Sequence, residues 1–242
     1  MSRGIIVLAI ALALPLSSAD VSKNYRAVIA KNNTAGGGGT VTVITSSNDG
    51  GGESPTTDTL VLVVSGETDP VIYVGTGTGS SGGVDGITSV SSSINGAFTE
   101  LAQATDSNWV NGQMWRLTGP SNGSHTITIT YDGPIHGGAC GVLLSNVSQG
   151  TPNGTVVTAT NTGTAPTASA TISSTGMVVA FVVTDDNDGF AVTTGTQLEE
   201  IEGIGGDTGL GLAYNTGSGS VDVTWATDSE GWVVLAVPVN GN

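Results

Sequence analysis

The stretch "SHTITITYDG" (Ser124–Gly133) decides the fold. Ile127, Ile129 and Tyr131 alternate with Thr126, Thr128 and Thr130. Strict alternation places the apolar set on one face of a strand and the hydroxyl set on the other, and it makes no stripe on a helix. The β-branched residues of both sets suit a pleated surface. Asp132-Gly133 then supplies turn chemistry.

The same grammar runs outward in both directions. Upstream, "QMWRLTG" places Gln113, Trp115 and Leu117 on one face, with Met114 and Arg116 on the other. "INGA" (Ile94–Ala97) predicts a tight hairpin between "GITSVSS" and "AFTELAQ", because Asn-Gly accepts the positive φ such a turn requires. "DTLVLVVS" (Asp58–Ser65) reads as a strand buried on both faces. "PVIYVG" follows, and "TGTGSSGGVDG" reads as a glycine-serine loop. Downstream, "CGVLLSNV", "GTVVTAT", "ASATISS", "GMVVAFVVT", "TQLEEIE", "GLGLAYN", "SVDVTWAT" and "GWVVLAVPV" continue the series. Trp115, Trp225 and Trp232 fall in these strands and are expected in the core. No segment sustains a 3.6-residue period, and no repeat of fixed period is visible. The chain is therefore expected to be all-β, an antiparallel β-sandwich of jelly-roll type with an extended N-terminal arm.

Two glycine clusters divide the front of the 242-residue chain, at 35–39 and 48–54. Residues 1–50 read as the arm, with a short strand in "TVTVIT" (Thr40–Thr45). Residues 51–242 read as a single β-sandwich domain. Within the arm, the apolar segment 5–16 has two readings. A basic start, a short apolar run and a small-x-small exit before Asp20 match a signal peptide. Against that, Leu8, Ile10, Leu12, Leu14 and Leu16 alternate with Ala9, Ala11, Ala13 and Pro15. A signal's apolar core needs no such register, whereas a docking strand with one bulky face does. The run is short for a membrane span.

Charge is divided along the chain. Arg3, Lys23, Arg26 and Lys31 are four of the five basic residues, and only Asp20 opposes them in the arm. Beyond it Arg116 stands alone among the remaining acids, within a net charge of −15. Such a body repels nucleic acid and anionic lipid. The single cysteine, Cys140, excludes an intramolecular disulfide and a cysteine metal cluster.

Candidate chemistry is sparse. "HGGAC" (His136–Cys140) is similar to an oxyanion loop. The one G-x-S-x-G, "GSSGG" (Gly79–Gly83), however, lies in a loop with no following helix, so no hydrolase triad is expected. Cys140 reads as a small buried residue. Asp185, Asp186, Asn187 and Asp188 in "TDDNDGF" crowd oxygen donors into one loop, the chemistry calcium favours, although any exposed turn prefers the same residues. Calcium is the single cofactor this reading admits. Trp109 reads as loop-borne and is a candidate contact for a sugar or a protein. Glu200 and Glu202 share one face of their strand, expected to be solvated.

"ITSVSSSINGAFTELAQAT", "GQMWRLTGPSNGSHTITITYDG", "VLLSNVSQGTP" and the closing "GWVVLAVPV" resemble a β-sandwich module of tailed-phage virion proteins and bacterial extracellular proteins. The resemblance covers roughly residues 54–239 and rests on packing and turn motifs. It implies a fold and a virion or extracellular setting, and it carries over no catalytic residue. Two functions follow as expectations. One is a non-enzymatic structural virion protein, a capsid decoration protein at the virion surface. It would dock onto neighbouring subunits, as a homo-oligomer or in a larger assembly, through Ile5, Ile6, Leu8, Ile10, Leu12, Leu14, Lys23, Arg26 and Lys31. The other is a secreted cell-surface module, with a cleaved signal peptide and carbohydrate-binding capacity.

Overall fold

The computed structural model describes residues 39–53, 56–79, 86–106, 110–133, 136–185, 191–204, 208–228 and 230–242. Among these there is no helix, and every strand pairing is antiparallel. The chain is all-β, as its alternation requires.

The strands form four sheets. Sheet I holds β3 (Thr57–Val64), β9 (Gly123–Tyr131), β5 (Ile87–Ser92) and β6 (Gly96–Ala97), in that order. Sheet II runs β1 (Thr42–Asn48), β10 (His136–Ser145), β4 (Val71–Gly79), β8 (Val110–Thr118) and β7 (Thr99–Asp106), with β2 (Gly52–Glu53) beside β10. Sheet III runs β11 (Val157–Gly163), β18 (Glu230–Val239), β13 (Met177–Thr184), β16 (Thr208–Thr216) and β15 (Thr196–Ile204). Sheet IV runs β12 (Thr167–Ile172), β17 (Gly219–Ala226) and β14 (Ala191–Thr194).

Three cores stack these sheets in the order I–II–III–IV. The first lies between I and II, with Leu60, Ile72, Trp115, Ile127 and Leu143. The second lies between II and III, with Tyr73, Met114, Val142, Phe181, Leu210 and Leu235. The third lies between III and IV, with Val182, Val223, Trp225 and Trp232. Sheets II and III are buried on both faces, so their strands feed two cores at once. In β13, Val179, Phe181 and Val183 enter the middle core, and Val178, Ala180 and Val182 enter the core beneath sheet IV. That is why "GMVVAFVVT" and "GWVVLAVPV" are continuous apolar runs.

The expected single sandwich over 51–242 is thus a four-layer stack. Its two halves share one plan. Take the eight principal strands of each half in chain order: β1, β3, β4, β5, β7, β8, β9, β10, then β11 to β18. In both, the first, eighth, third, sixth and fifth strands make the inner sheet, and the second, seventh and fourth make the outer one. This duplication lies in topology and leaves no sequence period.

Several local expectations are corrected. "DTLVLVVS" is β3, an outer strand: Leu60, Leu62 and Val64 are buried, but Val61 is half-buried and Val63 is 52% exposed. "TGTG" (Thr76–Gly79), read as loop, is the buried end of β4. Its glycines permit close approach of sheets II and III. A Cβ on Gly77 would overlap Leu210, and one on Gly75 would overlap the Phe181 ring. The "INGA" hairpin forms between β5 and β6, with Gly96 at φ 75°, but the chain then leaves sheet I and continues as β7 of sheet II. The strand between the two glycine clusters belongs to sheet II, where Thr42–Asn48 pairs with β10.

Candidate functional site

The arm residues Ile5, Ile6, Leu8, Ile10, Leu12, Leu14, Lys23, Arg26 and Lys31 lie outside the described residues, as do Trp109, Asp186, Asn187 and Asp188. Asp106 closes β7 just before Trp109, and Asp185 follows β13 just before Asp186. Both border Gly231: a Cβ there would overlap Oδ2 of Asp106 and lie 3.8 Å from Cβ of Asp185. The Asp185 amide donates to the Gly231 carbonyl at 3.0 Å. The end of β7 and the end of β13 therefore meet at the start of β18. Glu230, buried beside them, accepts from the Thr227 hydroxyl. Among the described residues no group of three or more His, Cys, Asp or Glu side chains is arranged to hold a metal ion.

His125 is a structural residue. It is fully buried, with Nε2 2.8 Å from the Ser121 carbonyl and Nδ1 2.7 Å from Ser92 Oγ. A carbonyl can only accept, so Nε2 donates to Ser121. Ser92 Oγ in turn accepts from the Ile94 amide at 3.2 Å, pinning the hairpin turn. "HGGAC" is part of β10, paired on both sides, and no oxyanion loop. Cys140 is fully buried, and burial pushes its thiol well above the ordinary range, so it is no nucleophile at neutral pH.

The densest polar cluster was not foreseen. It lies where β1, at the edge of sheet II, meets β15, at the edge of sheet III. Glu199 is 5% exposed. Its carboxylate accepts from Ser46 Oγ at 2.5 Å and Asn48 Nδ2 at 2.8 Å, joining the two halves. Alternation over "QLEEIE" puts Glu199 on the face of Ile201, opposite Glu200 and Glu202, and it is buried there; what the sequence does not show is its partners on β1. Glu200, half-buried, accepts from Gln197. Burial first, then the Glu202 carboxyl, raise its pKa to about 7. Asp49 sits at the end of this seam, 6% exposed. Its Oδ1 accepts from the Gly51 amide at 2.8 Å, and its Oδ2 has no hydrogen-bond partner.

The outer face of sheet I is of another kind. Thr57 and Thr59 on β3 stand opposite Thr130 and Thr128 on β9, and Ser89 and Ser91 on β5 extend the hydroxyl ranks. Val63 and Ile94 are the large apolar side chains exposed among the described residues, and both flank this sheet.

No protein family, curated protein or solved structure was found to match the chain.

Proposed function

We propose that the protein is a non-enzymatic structural component of a virion, a capsid decoration protein that docks on neighbouring subunits through its N-terminal arm, with the apolar residues of 5–14 and Lys23, Arg26 and Lys31. The duplicated plan carries this reading. In each half the first, eighth, third and sixth strands follow one another in one sheet, and the second, seventh and fourth in the other. That is the strand order of a jelly roll with its fifth strand moved to the inner sheet, an architecture of capsid proteins. Two such units fused back to back give a stiff acidic body with buried inner sheets. Gly39 packs against Asn146, and the Val41 amide donates to the Thr175 carbonyl at 2.9 Å. The alternating segment 5–16 has the pattern of a strand that adds to a neighbour's sheet edge. The hydroxyl-rich face of sheet I, with Val63 and Ile94, offers a further uncharged contact.

Deletion of residues 2–31 is expected to leave the body folded and to abolish incorporation into particles, scored by mass spectrometry of purified virions. Incorporation of the truncated protein would remove the arm's role. A native mass beginning at Asp20 would favour the secreted module instead.

A further inference from the structure

Residues 49–53 form a bridge along the outer edge of β10. β1 ends with Asn48 opposite Cys140, and β2 resumes with Gly52 opposite Gly137 and Glu53 opposite His136. The intervening Asp49, Gly50 and Gly51 make a bulge, with Gly50 and Gly51 at φ 79° and 65°. The bulge covers the end of the middle core, since a Cβ on Gly51 would stand 2.5 Å from Ile204 Cγ1 and 3.1 Å from Ile201 Cγ2. Two side chains tie it: Asn48 Oδ1 accepts from the Gly50 amide at 3.1 Å, and the Asp49 carboxyl reaches Gly51. Oδ1 of Asp49 accepts from Gly51, while its Oδ2 is buried with nothing to pair with. An anion buried in this way is costly.

Among the described residues the surroundings offer it no countercharge. Asp58 of β3 and Tyr131 of β9 approach from sheet I, with the Tyr131 hydroxyl donating to Asp58 at 3.0 Å. Cys140 lies on β10, and Glu199 and Glu200 face that thiol from β15. His136 stands at the far end of the bridge, opposite Glu53. Arg116 is held elsewhere, its Nη1 donating to Asn153 Oδ1 at 2.5 Å.

We propose that residues 49–53 are a pH-released strap, held shut in mild acid by the neutral Asp49 carboxyl and loosened when that carboxyl ionises. Burial, and then the Asp58 charge, raise the Asp49 pKa from 3.8 to about 7 while the strap is closed. A lifted strap returns the carboxyl to water and to its ordinary value. Closure is therefore fully favoured below about 4, loses ground as pH rises, and has lost the whole contribution above about 7. Lifting the strap breaks the short β2 ladder and uncovers Ile201 and Ile204.

Amide exchange of Gly51 and Gly52, corrected for the intrinsic pH dependence, tests this on the full chain. Protection should fall about ten-fold or more between pH 4.5 and pH 7.5 and level off above pH 8. Asp49→Asn should hold protection level across that range, while Glu200→Gln should leave the fall intact. Flat protection in the natural protein, or an equal fall in Asp49→Asn, would overturn the strap. Should Asp49→Asn not fold, a carbon-13 titration of the Asp49 carboxyl in the unmodified protein decides. A midpoint near 7 supports the strap, and one below 5 overturns it.

Discussion

At the scale of single residues, small side chains set the spacing of the inner sheets. Gly75 and Gly77 have ordinary strand conformations, so their role is steric: each leaves room for a bulky side chain of sheet III. Gly77→Val would drive a branched side chain into Leu210 and Val183. The expected loss is about 1–3 kcal/mol, read by chemical denaturation. Gly66→Ala is the control for glycine loss as such, because no atom lies within 4 Å of a Cβ there, although φ is +92°. A smaller loss for Gly77→Val than for Gly66→Ala would contradict the packing role. Glycine composition points to turns, and only the facing Phe181 and Leu210 reveal that some glycines act as sockets.

At the scale of elements, alternation was legible wherever a strand has one wet face. β9 and β17 bury the residues their sequences nominate, Ile127, Ile129 and Tyr131 in one and Val221, Val223 and Trp225 in the other. It held in β15 as well, where Glu199 and Ile201 are buried while Glu200 is half-buried and Glu202 exposed, but it did not show that Glu199 would tie β15 to β1. It failed for β3, whose apolar residues are continuous although one of its faces is open. Glu199→Ala should leave Ser46 and Asn48 without their shared acceptor, at a cost of about 1–3 kcal/mol. Amide exchange should quicken along β1 and β15 and stay unchanged in sheet IV. Uniform acceleration across all four sheets would argue against a local seam. Of the candidate site, the meeting of Asp106 and Asp185 at Gly231 was not legible, because it depends on which strands end together.

At the scale of the whole molecule, the two halves are expected to unfold together. Their inner sheets share one core, with Tyr73, Met114 and Val142 from the first half and Phe181, Leu210 and Leu235 from the second. Exposing either sheet would strip apolar surface from both. Thiol labelling of Cys140, a probe of the first half, should therefore follow the same urea curve as circular dichroism of the whole chain. Labelling complete well before the loss of strand signal would show that the halves are independent. The class and the many short strands were readable from the sequence. The stacking order was not, because the two halves repeat a path through space without repeating residues.

The sockets and bulky residues of the middle core also bear on how copies of this chain treat one another. A duplicated plan invites a strand-swapped pair, in which one molecule's inner sheet takes the place of its equivalent in another. The two inner sheets are unlike in relief, however: sheet II is recessed at Gly75, Gly77 and Gly112, and sheet III stands proud at Phe181, Leu210 and Leu235. Two recessed sheets face to face would enclose voids, and two proud ones would collide. Each half accepts the other and declines its own kind, so pairing of two like inner sheets from different copies is disfavoured.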